Sequence, residues 1–585
     1  MKLNYKRTLL VGFAFFLISA FWQAYDTIIP LMLTNRFGLD QTWSGVIMSL
    51  DNILALFMLP LFGALSDKKD TRFGKRTPFI VIGAVAAIVC FVGLTFADNA
   101  QLNKVMASGA ETYWEQNYEI ENREYNSITN PTVSQTYKVQ EYAARIYFGE
   151  DYGIELQDET KLEELKNWYI NRDNSSNKLT YDTKYYYNKD TNTYSLVEVE
   201  GIRATNAYSS LVSDARAQFA KTVTAANWWV LLIFIVVLLM VLISMATFRS
   251  PAVALMPDVT VKPLRSKGNA IINLMGTAGG ILVLLLGMIF DTSAVKNQMM
   301  SYTWFVVAVC GIMLAALVVF VLTVKEKKWN TEMLEAQAIL DAEDAAKEQT
   351  PTTDVDEAEH EKAAITATQS EVEAPQPKEK LPKDKLVSLI LILASVALWF
   401  TGYNAITSKY SVYSLNVLNK SYNTTLLIAQ AAAVVAYIPV GIVASKIGRK
   451  KTILVGIGLL TVAFGGAIFI NAATAPWVMY ILFALAGIAW ATINVNSFPM
   501  VVELAKGPNI GQYTGYYYTA SMAAQVITPI LSGALMDLFG TMSVLFPYAA
   551  IFVALSFVTM LFVKHGDSKP ETPKEKLELL AGSDD

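Results

Sequence analysis

A helix needs about 20 apolar residues to cross a hydrocarbon core of ~30 Å, and this chain supplies such runs repeatedly. They fall at 8–35, 42–65, 77–97, 226–257, 268–290 and 302–325, then, after a polar gap, at 385–408, 422–446, 452–472, 476–502, 511–536 and 542–564. Twelve runs, split six and six, predict an all-α membrane protein with twelve transmembrane helices in two six-helix halves. Composition agrees: hydrophobic residues make up 53% of the 585 and charged residues 17%, the balance of a membrane protein. The formal charge of −4 argues against a nucleic-acid partner. Cys90 and Cys310 both fall in apolar runs, while His360 and His565 fall in polar segments. No disulfide framework and no Cys/His metal site is offered, so neither a metal nor a cofactor is expected. Proton chemistry within the membrane then falls to carboxylates.

The turn after the second run is basic, Gly63-Ala64-Leu65-Ser66-Asp67-Lys68-Lys69-Asp70-Thr71-Arg72-Phe73-Gly74-Lys75-Arg76-Thr77-Pro78-Phe79, and a weaker copy follows the eighth, Gly441-Ile442-Val443-Ala444-Ser445-Lys446-Ile447-Gly448-Arg449-Lys450-Lys451. In each, glycine lets the backbone reverse and cations keep the turn out of lipid. Two copies imply two related halves. Together with Lys262, Arg265 and Lys267 after the fourth run, these turns outweigh Arg36, Lys296, Lys409 and Lys420 on the other side. Short-loop Lys and Arg stay cytoplasmic, which puts both termini in the cytoplasm. Lys2, Lys6 and Arg7 ahead of the first run also fit a secretory signal. That run, however, continues through Asp26 and Pro30 to about Asn35, so an uncleaved first helix is expected.

These assignments divide the chain into residues 1–97 (spans one to three), 98–225 (an extracytoplasmic insert), 226–328 (spans four to six), 329–384 (a disordered cytoplasmic linker), 385–566 (spans seven to twelve) and 567–585 (a cytoplasmic tail). The insert is rich in tyrosine and acidic residues. It has a helical patch at Glu159–Tyr169 and a hairpin-like run, Tyr185-Tyr186-Tyr187-Asn188 then Tyr194-Ser195-Leu196-Val197-Glu198-Val199, around a turn at Lys189–Thr193. A tyrosine-rich surface suits sugar stacking or a partner protein, and equally a decoration packing its own small core. In the linker, Glu332–Lys347 reads as helical and Thr350–Lys385 as too polar to bury a core.

An ionisable residue within a span is costly and normally faces a cavity or a partner. The first run carries Gln23 and Asp26, the second Asp51 and Asn52. Asp26 and Asp51 each lie about nine residues from the outer end of their helix, so at ~1.5 Å per residue their depths match. In a low dielectric, two neighbouring carboxylates favour sharing a proton, which makes Asp26 and Asp51 the candidate proton-coupling site. The alternative, two separate carboxylates each satisfied by hydroxyls and backbone, stays open.

The Gly-x-x-x-Asp then Arg-x-Gly-Lys-Arg spacing resembles the loop between helices 2 and 3 of major facilitator superfamily carriers, and the second copy matches the corresponding loop of their C-terminal half. The resemblance covers nearly all the membrane-embedded chain. It implies that fold, and a cytoplasmic gate at Gly63, Asp67, Arg72, Gly74, Lys75, Arg76, Asp258, Gly448 and Arg449, with ion pairs among Asp67, Arg72, Arg76 and Asp258 holding the inner side closed. The stretch Arg249-Ser250-Pro251-Ala252-Val253-Ala254-Leu255-Met256-Pro257-Asp258 is similar to the glycoside and sucrose cation symporter branch, whose sucrose members read Gln-x-Pro-x-Arg-Ala-Leu-x-x-Asp there. Pro251, Ala254, Leu255 and Asp258 are kept, but Val253 stands where the family has arginine and Arg249 where it has glutamine. Four residues is about one helical turn, so Arg249 faces the same way, and its planar fork suits sugar hydroxyls or a carboxylate. It also suits a structural pair with an acidic neighbour. Arg249 lies about 23 residues from the outer start of its helix, ~34 Å, nearer the cytoplasmic end than a midplane site. The first turn also looks like the melibiose-type branch, yet Ala55 and Leu59 stand where those carriers place their sodium aspartates, which leaves a proton as the expected coupling ion.

Elsewhere the spans carry Asn273, Trp399, Tyr403, Asn404, Gln430, Trp490 and Asn494. Amides both donate and accept, and aromatic faces cover the C–H face of a sugar ring. With Gln23, Asn52 and Arg249 they form the candidate substrate-binding set, although each alone also serves as interhelical glue. The expectation is a secondary active transporter of the cell membrane, monomeric in the lipid bilayer. It would couple an oligosaccharide or glycoside to a proton by alternating access. A multi-substrate exporter and a transport-inactive sugar sensor are the rivals. No nucleophile–base pair, metal cluster or phosphate loop supports an enzyme.

Overall fold

The computed structural model describes residues 4–69, 71–107, 183–188, 193–199, 220–261, 264–293, 300–348, 382–418, 420–471, 474–502, 504 and 510–565. In the first half, α1 spans Tyr5–Leu31, α2 Gln41–Asp67, α3 Thr77–Ala107, α4 Trp228–Asp258, α5 Arg265–Ile289 and α6 Thr303–Thr323. A further helix, α7, spans Glu326–Glu348. The second half comprises α8 Lys383–Asn416, α9 Tyr422–Ile447, α10 Arg449–Ala467, α11 Pro476–Val502, α12 Ile510–Phe539 and α13 Leu545–Leu561. Eleven helices among the described residues are long and apolar enough to cross a membrane, and α9, a 26-residue helix, stands in the remaining place of the expected twelve.

Local chemistry sets the ends. The Asn4 side chain accepts from the Arg7 N–H, Asp40 from Trp43 and Ser421 from Thr424, each satisfying a helix-start donor. Pro30 lies in the last turns of α1, which widens to a π-turn over Met32–Arg36. Gly448 reverses the chain between α9 and α10 at φ 93°, a conformation open to glycine without strain.

Each half packs around its own apolar core. Phe21, Tyr25, Phe91, Phe234, Phe248 and Phe305 centre the first; Trp399, Tyr410, Ile457, Met479, Phe546 and Tyr548 centre the second. The pairings repeat. In the first half α1 packs on α5 and α6, α2 on α4, and α3 on α4 and α6; in the second α8 packs on α12 and α13, α9 on α11, and α10 on α11 and α13. Between halves α2 meets α12, α5 meets α9 and α1 meets α8, as a two-fold relation between the repeats requires.

Two expected boundaries are corrected. The third span continues ten residues past 97, to Ala107, because its polar residues find partners: Asp98 pairs with Arg36 and Gln101 donates to the Thr224 hydroxyl and the Arg36 carbonyl. The linker boundary at 329 moves: the helix expected at Glu332–Lys347 is part of α7, which starts at Glu326, runs to Glu348 and buries Trp329 and Met333 one turn apart. Arg7 of α1 pairs with Glu332 and lies 5.3 Å over the Trp329 ring. In the expected insert, β1 (Thr183–Asn188) and β2 (Thr193–Val199) pair antiparallel, with Asn188 opposite Thr193 across the expected turn and an irregularity at Lys184/Tyr185. The rest of 108–219 with its Glu159–Tyr169 patch, residues 349–381, the tail from 566, and Lys262 and Lys296 lie outside the described residues.

Candidate functional site

Halfway along the bundle, α1, α2 and α4 bring together a charged group. Asp51 lies within electrostatic reach of Asp26 on α1 and of Arg249 on α4. Asn52 donates to the Asp51 carboxylate at 2.8 Å. The Arg249 guanidinium carbon stands 5.6 Å over the ring of Trp22. Arg249 thus reaches the level of Trp22 and Asp51 although its Cα is near the basic-turn end, because a helical side chain leans toward the N-terminal turn. The sequence pattern missed Tyr25 and Trp22. Tyr25 is fully buried, lies within reach of both carboxylates, and meets Trp22 edge-to-face at 5.3 Å. Their position, one turn or less from Asp26 on the same helix, was the available signal.

Next to this group the halves touch. Gln430 of α9 donates to the Gln23 side chain of α1 at 2.5 Å, and Gly280 of α5 makes room for both, since a Cβ there would lie 3.2 Å from the Gln430 oxygen and 3.6 Å from that of Gln23. On the second-half side, Tyr403 of α8 stacks on Trp490 of α11 at 3.6 Å and 6° between planes, with Phe400 edge-on to the indole at 5.3 Å. Asn404, next along α8, has a buried amide nitrogen with no hydrogen-bond partner among the described residues, as has the Gln430 carbonyl oxygen. A donor and an acceptor are therefore unspent near the plane where the halves meet. Asn273 is buried in α5, and Asn494, half-buried, lies one turn beyond Trp490 in α11. Trp399 is fully buried within the second core, a packing position, in contrast to the half-buried Tyr403 and Trp490.

The basic-turn end is built on Arg76, which is 6% exposed. Its guanidinium pairs with Asp67 of α2 and, at 2.8 Å, with Asp258 of α4, and also donates to the Ser66 hydroxyl and the Gly63 carbonyl. Burial opposes its charge, but the hydrogen bond and charge of Asp258, then the charge of Asp67, outweigh it and hold the pKa above the ordinary value. Arg72 does not join: it is exposed and lies over the neighbouring Phe73 ring at 4.6 Å. Lys75 is exposed and contributes only its backbone N–H. All the Arg76 pairs fall inside the first half. Of the ion pairs expected among Asp67, Arg72, Arg76 and Asp258, those of Arg76 with Asp67 and Asp258 form, and none to Arg72 is found among the described residues.

The residue missed at this end is Glu326, 3% exposed at the start of α7. Its carboxylate accepts the backbone N–H groups of Lys75, Arg76 and Thr77 and the Thr77 hydroxyl, so it caps α3 from far along the chain. Gly74 is glycine for this reason, because φ is 117° and a Cβ would overlap the Glu326 carboxylate. Asn330 of α7 donates to the Asp258 carbonyl at 2.6 Å. In the second half, Gly448 and Arg449 form the corresponding turn, where Lys450 donates to the Leu561 and Val563 carbonyls at the end of α13.

Comparison with known proteins places this architecture. A model described as Major Facilitator Superfamily matches residues 217–505 and 421–583, and one described as MFS/sugar transport protein matches residues 10–107. A sucrose transport protein of Arabidopsis thaliana is 40% identical over 52 residues, 9% of this chain and 10% of that protein. Proton-associated sugar transporter A of Mus musculus is 33% identical over 89 residues, 14% of this chain and 11% of that protein. The uncharacterized symporter YnaJ of Bacillus subtilis is 28% identical over 98 residues, 16% and 21% of the two chains. The chain thus spans between 10% and 21% of the length of these relatives. Among solved structures, the inward open conformation of the xylose transporter XylE from E. coli superimposes with a TM-score of 0.51 at 13% identity, covering 99% of both chains. A D-xylose-proton symporter gives 0.50 at 13% identity, covering 96% of this chain and 99% of the other. At that identity the likeness is one of fold.

Proposed function

Because the chain belongs to the Major Facilitator Superfamily and is a multi-pass membrane protein, we propose that it is a secondary active transporter. It carries a sugar, an oligosaccharide or glycoside, together with a proton across the cell membrane by alternating access, with both termini cytoplasmic. The observation that carries this is the meeting of Asp26, Asp51 and Arg249 beside the Gln23–Gln430 contact between halves. A carboxylate pair binds a proton without further ligands, whereas sodium wants several hard oxygens. In the loaded carrier one proton neutralises one carboxylate of the pair, and Arg249 balances the charge of the other. The sugar is held by Gln23, Asn404 and Gln430, with the Tyr403–Trp490 plate against its C–H face. The likeness to a sucrose transport protein and to a proton-associated sugar transporter supports the substrate class and the ion. The halves then rock about this midplane site.

The test uses purified carrier in proteoliposomes and a panel of radiolabelled sugars. The unmodified chain should accumulate its sugar when the outside is acid. Asp51→Asn should lose accumulation yet keep sugar exchange, because exchange releases no net proton. If Asp26→Asn and Asp51→Asn carriers both still concentrate sugar with the usual pH dependence, the coupling assignment fails. A sugar or carboxylate contact by Arg249 needs the planar fork, so Arg249→Lys should bind sugar nearly as poorly as Arg249→Ala. Undiminished binding in the alanine variant removes Arg249 from the site.

A further inference from the structure

At the end of the bundle away from the basic turns, one half caps a helix of the other. Asp537, near the end of α12, accepts the backbone N–H of Gln41 at 2.9 Å, that of Thr42 at 2.7 Å, and the Thr42 hydroxyl. These are the first residues of α2, which already has a cap of its own in Asp40, bonded to the Trp43 N–H at 2.8 Å. One carboxylate suffices for a helix start, and two repel. The counter-charge is Lys409 of α8, fully buried, whose amine donates to the Gln41 carbonyl at 2.7 Å and lies within electrostatic reach of both Asp537 and Asp40. Backbone meets backbone here: a Cβ on Gly533 of α12 would overlap the Gln41 carbonyl, and one on Gly45 of α2 would overlap that of Pro529. Further cross-half bonds surround the contact, Asn416 to Asn35 at 2.8 Å, Ser293 with Ser421 at 2.8 Å, and Tyr422 to the Thr292 hydroxyl at 2.9 Å.

We propose that Asp537 and Lys409 form the latch that closes the outer side of this carrier, seated on the glycine contact between α2 and α12. The assignment rests on the alternating-access reading above. When the outer side opens, α2 and α12 separate, Asp537 and the Gln41 and Thr42 amides exchange each other for water, and Lys409 is uncovered. α2 keeps Asp40 as its cap, so the helix survives opening. Placing the charges at the bundle's end lets water take over the broken bonds, which lipid at mid-depth would not do.

The latch is tested on the full chain with Cys90→Ala and Cys310→Ala and a single reporter, Leu31→Cys. Leu31 is 1% exposed and, though on α1, packs in the core of the second half. The probe is a membrane-impermeant maleimide added outside right-side-out vesicles. In the reporter parent, labelling should be slow. Asp537→Asn and Lys409→Met should each raise the rate roughly tenfold, the scale of a lost helix cap, and Gly533→Ala should raise it further because the seat no longer closes. Thr42→Val, which leaves both charges and both glycines in place, covers the case in which those variants do not fold, and should raise the rate roughly threefold. Parent rates in the folded variants overturn the latch. Labelling requires neither sugar nor proton, so its failure leaves the transport assignment standing, and failure of sugar uptake leaves the latch standing.

Discussion

The two ends of the bundle use their charges in opposite ways. At the basic-turn end, Arg76 with Asp67 and Asp258, and Glu326 with the start of α3, bind helices of one half to one another. At the other end, Asp537, Lys409 and the Asn35–Asn416 pair bind one half to the other. An alternating carrier needs both arrangements, since a half must move as one body while the contact between halves breaks and reforms. Substitutions at the first end should therefore cost stability without changing which side is open; those at the second should change the open side.

The largest effect on stability is expected at Glu326. Glu326→Ala leaves three backbone N–H groups and a hydroxyl without their charged acceptor, a loss of about 3 kcal/mol, visible as a lower unfolding temperature of the purified carrier. Its Leu31→Cys labelling should stay at the parent rate; a rise would mean that the basic-turn end also governs opening.

Arg76→Ala comes next. Its carboxylate partners are more exposed than it is, with Asp67 at 62% and Asp258 at 31%, so water repays part of the loss and about 1–2 kcal/mol is expected. Arg72→Ala, at an exposed residue stacked only on its neighbour, serves as the control and should be neutral within ~0.5 kcal/mol. Equal losses in the two variants would show that the turn, rather than the Arg76 pairs, holds α2 to α4.

The smallest effect sharpens the contrast by pH. Arg76 has its pKa raised by paired carboxylates, whereas Lys420, in the turn before α9 at the closing end, is pushed down to about 8 by burial. Between that value and the ordinary lysine range the folded carrier binds fewer protons at Lys420 than the unfolded chain, so stability rises with pH across the window. Below about 8 the penalty is fully present. Lys420→Met should add ~0.5 kcal/mol at pH 7, discounted for its partial exposure, and flatten the rise above pH 8. An unchanged pH slope in thermal melts would show that Lys420 is solvated after all.

The spans were legible because lipid imposes a strict rule on sequence. Backbone groups must be satisfied within a helix, and the helix must be apolar for its whole crossing; hence 42–65 in the sequence becomes Gln41–Asp67 in the structure, and 476–502 becomes Pro476–Val502. The hairpin at Thr183–Val199 was legible for an equally local reason, its turn between two β-prone runs. Asp26, Asp51 and Arg249 stood out singly because a charge in a span is costly.

Partnership was not legible, because it depends on which helices pack together and on directions that residue spacing does not carry. Nothing near Glu326 in the chain indicates that it caps α3, some 250 residues earlier. Nothing near Asp537 indicates that it caps α2 in the other half. Trp399 and Tyr403 are one turn apart on α8, yet one fills a core and the other stacks on Trp490. The sequence by itself determined twelve crossings, their two-fold grouping and which residues are too costly to be idle, because those follow from solvation along one helix. Tertiary structure alone decided that Arg76 works within a half, that Lys409 works between halves and that Trp22 and Tyr25 stand beside the carboxylates, because each requires helices distant in sequence, or a side-chain direction, to be fixed first.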